Sequence, residues 1–236
     1  MFKHIRQTAL VLSLVACCPM AARADANDST ARGRMGDAQG QTRLHKMIDD
    51  SMTAYRAVVK SSQGEVPSNV LKNARCIAVL PGVISGAVGV GGAHGDGLAS
   101  CKDRNNAWSQ PAAISLNEGS IGLQAGVKST DLVLFFENPE SVAALKRGKF
   151  AFGTDVSAVV GKYDAAFDSG SSGVVIYSNS GGLFAGAALT GSVVGKDKDE
   201  MTSYYGKSTT YTGLLEGSES PDTSGYTRQL TLLFPQ

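Results

Sequence analysis

Histidine, tryptophan and proline are all scarce, at three, one and seven residues in 236, and aromatic residues reach only 7%. Outside the first residues only His45 and His94 remain, which leaves little for a histidine-based metal site or general base. Neither charge is in excess, with 22 basic residues against 21 acidic ones, so the electrostatic footprint of a nucleic-acid binder is missing. No apolar run reaches the roughly 20 residues that span a bilayer as a helix, which excludes a helical membrane bundle. The 42% hydrophobic content is in turn too high for a disordered chain. Glycine is what the sequence has in quantity: 28 residues, 20 of them between Gly82 and Gly195, without the strict triplet of collagen.

The N-terminus reads as an export leader. Lys3, His4 and Arg6 form a charged start and Thr8 to Ala16 a short apolar stretch. Leu14-Val15-Ala16-Cys17 then fits a lipobox, in which the cysteine is acylated and becomes the new N-terminus. On this reading residues 1–16 are a lipoprotein signal peptide and Cys17 carries the lipid. A cut after Ala22-Arg23-Ala24 is the alternative, and it would release a soluble periplasmic or secreted chain. Either way the protein is exported, and the lipidated form belongs at the outer membrane, facing the periplasm or the cell surface. Loss of Lys3 and Arg6 turns the net charge slightly negative, so any basic site must be local.

Of the four cysteines, Cys17 and Cys18 belong to the leader junction and Cys76 and Cys101 to the body. An oxidising compartment favours pairing of the latter two. Cys76 opens one strand-like run and Cys101 closes another, so two antiparallel strands would set them opposite each other; two buried free thiols are the alternative.

From Cys17 to Gly40 the chain is poor in large apolar residues and reads as a flexible tether, with the fold covering 41–236. Leu44, Ile48, Met52, Tyr55 and Val59 recur at three and four and predict an amphipathic helix. Pro67, Val70, Leu71 and Ala74 suggest a short second helix. Strand-like runs follow at 76–80, 87–92, 97–101, 113–116, 121–128, 131–136, 149–160, 174–178 and 183–194. Asn138-Pro139-Glu140 and Gly148 bracket a helix over 139–147, with an N-cap, a first-turn proline and a C-terminal glycine. Near the C-terminus, Tyr226, Leu230 and Leu233 fit a helix, while 230–234 also fits a strand. Glycines inside strands mark bulges, bends or close backbone approach, so this many together imply a strongly coiled, mostly antiparallel sheet, barrel-like or a sandwich. The class is α+β.

Catalytic patterns do not assemble. Gly89, Gly91 and Gly95 miss the dinucleotide fingerprint, and there is no Walker lysine and no G-x-S-x-G. His45 falls on the amphipathic helix and His94 in a glycine turn. Asp49-Asp50 and Asp199-Glu200 sit in polar helix or loop contexts, where solvation explains them. No catalytic residue, metal site or cofactor is expected.

The segments read in order resemble a known family. Ala74-Arg75-Cys76-Ile77-Ala78-Val79-Leu80-Pro81, the run Gly86 to Gly92 with Gly95-Asp96-Gly97, Trp108-Ser109-Gln110-Pro111, Gly119 to Gly126, Thr130 to Val133, Gly148-Lys149-Phe150, Gly182 to Gly186 and Tyr204-Tyr205-Gly206 are together similar to the SYLF domain. The resemblance runs from about Gln41 to Leu215. It implies a non-enzymatic lipid-binding module, because eukaryotic members bind phosphoinositide-containing membranes and fungal ones also actin, while bacterial members are exported and often lipoproteins. The implied partner is a phospholipid membrane, with anionic lipid or phosphoinositide as headgroup; an envelope or host protein partner is left open, and a scaffold module that binds proteins without lipid is the alternative function. Carried onto this chain, the binding segment is the first helix. Arg43, Lys46, Arg56 and Lys60 would meet phosphates, and Leu44, Met47, Ile48, Met52 and Tyr55 the acyl boundary. Asp49 and Asp50 dilute that charge, and Ala93-His94 departs from a basic-aromatic pair common in relatives, so phosphoinositide selectivity is not implied. The same apolar face could instead cover the sheet. Intact mass of protein taken from the envelope should show acyl mass on an N-terminal Cys17; a chain starting at Asp25 would show the other cleavage.

Overall fold

The computed structural model describes residues 26–61, 64–88, 90–120, 126–152, 158–160, 173–179 and 191–236. The leader and Cys17 lie outside the described residues, as do 121–125, 153–157 and 183–190 of the expected strands. Helix α1 spans Ala26–Val59, so the segment 26–40 is helical where a tether was expected. Its alanines, arginines and glutamine are good helix formers, and being short of apolar residues does not by itself make a segment flexible. Of the expected stripe, Leu44, Ile48 and Tyr55 are buried in the core and Met52 and Val59 only partly so, while Ala54 and Val58 are buried beside them.

A two-residue ladder, β1 (Lys60–Ser61) with β2 (Gly64–Glu65), turns the chain into α2 (Ser68–Asn73). Pro67 sits at the cap of α2 with φ −54° and not inside its first turn. The main sheet follows as β3 (Cys76–Val88), β4 (Val90–Cys101), β5 (Ala112–Ser120) and β6 (Gly126–Phe136). After helix α3 (Pro139–Arg147) come β7 (Lys149–Ala151), β8 (Ala158–Val160), β9 (Val174–Ser178) and β10 (Val193–Lys196). Short helices α4 (Lys198–Tyr205), α5 (Tyr211–Leu215) and α6 (Arg228–Thr231) complete the described chain. The order across the sheet is β7-β10-β5-β4-β3-β6-β9-β8, antiparallel throughout except for the parallel β8–β9 pair at one edge. The class is α+β, and the sheet curls into a half-barrel.

Helix α3 follows its sequence signals closely. The Asn138 side chain accepts the Ser141 N–H at 2.8 Å, and Gly148 ends the helix at φ 74°. The glycine-rich centre differs from expectation. Runs expected as separate short strands are two long ones, and His94 lies within β4 and not in a turn. Each of these strands is paired on both sides, β3 by β4 and β6 and β4 by β3 and β5, and that laddering offsets the weak strand propensity of glycine. The stretch 149–160 is likewise two strands, and the 226–233 spacing resolves as helix at α6.

Five consecutive residues are buried in each of β3 (Cys76 to Leu80), β6 (Leu132 to Phe136) and β9 (Val174 to Ser178), so this part of the sheet is covered on both faces. Helix α1 packs against β3, β6, β4 and β9. Cys76 and Cys101 are opposite one another in the β3–β4 register and form a disulfide, as the strand reading anticipates.

The coil of the sheet has a local cause. Pairing of β3 slips between Val79 and Ile84 against β4, and between Leu80 and Val83 against β6. At that slip β4 crosses so close that a Cβ on Gly97 would stand 2.2 Å from the Val79 carbonyl oxygen and 3.0 Å from Leu80 Cα. Backbone cannot yield as a side-chain tip can. Gly97→Ala is therefore expected to cost about 1–3 kcal/mol of stability. Gly195→Ala is the control: its added carbon would find its nearest atom at 3.7 Å, so its denaturation midpoint should not fall. Equal losses at both positions would show that close approach at Gly97 is not what glycine supplies there.

Candidate functional site

The nine residues expected to meet lipid divide sharply by burial. Leu44, Ile48 and Tyr55 are core residues with at most 4% exposure, and Met47 and Met52 are half-buried against the same core. In this packing the stripe faces the sheet and not an acyl boundary, because β3 and β6 offer it a matching apolar surface. Burial also raises the Tyr55 phenol pKa far above its ordinary value, so it stays neutral.

The four cations are exposed, and they are not equivalent. Arg43 donates from Nη1 to Glu200 Oε1 at 3.0 Å and from Nη2 to Ser203 Oγ, which ties α1 to α4. Lys46 pairs with Asp50 one turn on, so the carboxylate that dilutes the helix charge does so by direct contact. Arg56 and Lys60 form no ion pair among the described residues. At 100° per residue Lys46, Thr53 and Arg56 share the outward half of α1, opposite Leu44, Ile48 and Val58, and Lys60 follows directly as the first residue of β1, opposite Glu65 in its ladder.

Residues far along the chain hold that helix in place. The Tyr226 hydroxyl donates to both oxygens of Asp49, at 2.9 and 3.1 Å, and its ring stacks on His45 with centroids 3.9 Å apart. The hydrogen bond to Asp49 raises the Tyr226 phenol pKa, since ionisation would lose the donor and set two anions together. Phe234 packs on Tyr55 at 5.0 Å and on Trp108 at 5.1 Å, while Trp108 Nε1 donates to the Pro235 carbonyl at 2.9 Å. None of these contacts is visible in local periodicity; only the 226, 230, 233 spacing hints that the tail packs. On the other flank, Gln41 donates to the Tyr204 carbonyl. Among the described residues no three metal-ligating side chains gather, and no helix is long and apolar enough to cross a membrane.

Comparison with known proteins finds likeness over part of this chain. Residues 117–232 match the Ysc84 family model, described as a Las17-binding protein actin regulator. The match covers 116 of the 236 residues and is a likeness over that segment. Among relatives, Protein YSC84 of Saccharomyces cerevisiae is 30% identical over 160 residues, which cover 64% of this chain and 34% of the relative. LAS seventeen-binding protein 3 of the same yeast is 29% identical over 164 residues, 66% of this chain and 36% of the relative. SH3 domain-containing YSC84-like protein 1 of Xenopus laevis is 31% identical over 149 residues, 60% and 44% respectively. This chain thus spans between about a third and less than half of the length of these relatives. No solved structure matches. The Ysc84 match begins within β5, so it takes in β6 through α6 with Tyr226, and α1 and the whole β3–β4 hairpin precede it. The resemblance noted from the motifs and the Ysc84 match concern the same family.

Proposed function

We propose that this chain is a non-enzymatic phospholipid-binding domain at a bacterial envelope membrane, tethered through an acylated Cys17 and touching the bilayer with the outward face of α1. The observation that carries this reading is the exposure of Arg56 on α1 and of Lys60 at the start of β1, without ion-pair partners among the described residues, beside Lys46 on a helix whose apolar face is occupied. Such a face rests on a surface and does not insert. Each cation near an anionic leaflet contributes about 1 kcal/mol, so Arg56 and Lys60 supply about 2 kcal/mol, a weak and salt-sensitive hold. The acyl chains would supply residence and the helix face orientation. The family description and the name of the yeast Las17-binding relative favour a second reading, an envelope protein-interaction module that needs no lipid.

The test is flotation of the unacylated full chain (Cys17→Ser) with vesicles of anionic or zwitterionic phospholipid. Binding should be confined to the anionic vesicles and fade with salt. The Arg56→Gln/Lys60→Gln variant should bind about 30-fold more weakly. Equal flotation of the variant, or none on any vesicle, contradicts the lipid reading, and the latter leaves the protein-interaction one.

A further inference from the structure

A groove of about 480 Å³ opens between α1 and the place where β3 and β4 slip register. Met47 and Ala54 of α1 and Pro81 and Ile84 of β3 give it an apolar floor. Val83 faces the core, so the next residue on the pleat, Ile84, faces out, and it is 57% exposed. A single exposed isoleucine is ordinary on a protein surface. Here it lies in a concavity whose ionisable lining among the described residues is Asp50, Asp96 and Asp131 with His94, with no lysine or arginine among them.

The carboxylates have different duties. Asp131 is fixed: its Oδ1 accepts the Gly82 N–H at 2.8 Å and its Oδ2 the Asn179 amide at 2.6 Å, which holds the bulge in place. Asp50 and Asp96 are nearly half exposed, the first touching Lys46 and the second 3.7 Å from His94 Nε2. The His94 Nδ1 in turn is 2.8 Å from the Asn117 side-chain oxygen. Among the described lining residues three carboxylates thus gather without a lysine or arginine, with Lys46 reaching only Asp50, on a chain whose total charge is only +1, a local excess of negative charge around an apolar floor.

We infer that this groove docks a lysine- or arginine-bearing, otherwise apolar segment of a protein partner. The side chain fits by its two halves: the aliphatic stem lies along Ile84 and Met47, and the charged head meets Asp50 and Asp96. An anionic lipid headgroup is disfavoured by the same carboxylates. Along α1, Met47, Asp50 and Ala54 follow each other at three and four and occupy one flank, while Arg56 lies on another side of the helix and Lys60 beyond its end in β1. The groove and the membrane-facing cations are therefore separable by mutation.

The experiment uses the full chain and a blocked hexapeptide of alternating lysine and leucine, with a glutamate-for-lysine counterpart, followed by amide shift mapping and titration. Saturable binding is expected, with shifts centred on 47–54, 81–84 and 94–96, and none with the glutamate peptide. Asp50→Asn/Asp96→Asn and Ile84→Ser should each weaken binding at least tenfold, with native melting behaviour retained because all three side chains reach solvent. Arg56→Gln/Lys60→Gln should leave peptide binding unchanged. No saturable binding, shifts mapping elsewhere, equal binding of the glutamate peptide, or undiminished binding by the groove variants would overturn the proposal. So would the same groove shifts on zwitterionic vesicles in place of the peptide, which would assign the site to a headgroup amine.

Discussion

Burial of one helix face against the sheet is the constraint from which the rest follows. Leu44, Ile48, Tyr55 and Val58 leave water where α1 crosses β3 and β6, and each such side chain contributes roughly 1.5–3 kcal/mol. Four of them together are comparable to the whole stability of an ordinary domain, about 5–15 kcal/mol. Inserting the same face into a bilayer would return their transfer energy and yet strip cover from buried strands. The helix can therefore serve a membrane cheaply only from its other side, where Arg56 stands, with Lys60 just beyond the helix end.

The sheet meets this helix with a surface shaped by close backbone approach. Gly97 lets β4 cross β3 at the point where the pairing of β3 slips, and the slip leaves Pro81, Gly82 and Ile84 standing beside α1. The glycine content and the groove thus have one origin. The disulfide between Cys76 and Cys101 fixes the same two strands at their other end, so register is pinned away from the bulge and relaxed at it. Tyr226 and Phe234 clamp α1 from the far end of the chain, which makes the helix part of the fold and not an appendage.

Legibility in the sequence followed the range of the interactions. Helix α3 could be read residue by residue, since its cap, proline and terminal glycine act within one turn. The stripe of α1 was equally plain, but periodicity says only that a face is apolar, not whether sheet or lipid covers it. The glycine strands were readable as strands but not as two continuous ones, because their continuity comes from neighbours on both sides. His94 looked like a turn residue for the same reason. The aromatic clamp joins residues nearly the length of the domain apart, and the groove depends on a register slip; neither leaves a local signal.

The central claim is that α1 keeps its apolar face on the sheet while its outer face meets the membrane. Hydrogen exchange of the α1 amides, with and without anionic vesicles, tests it most directly. Protection across 44–58 should be unchanged or higher on the vesicles, with core strands β3 and β6 equally protected. Loss of protection in β3 and β6 while 44–58 becomes shielded by lipid would show that the helix leaves the sheet to insert, and would contradict the account.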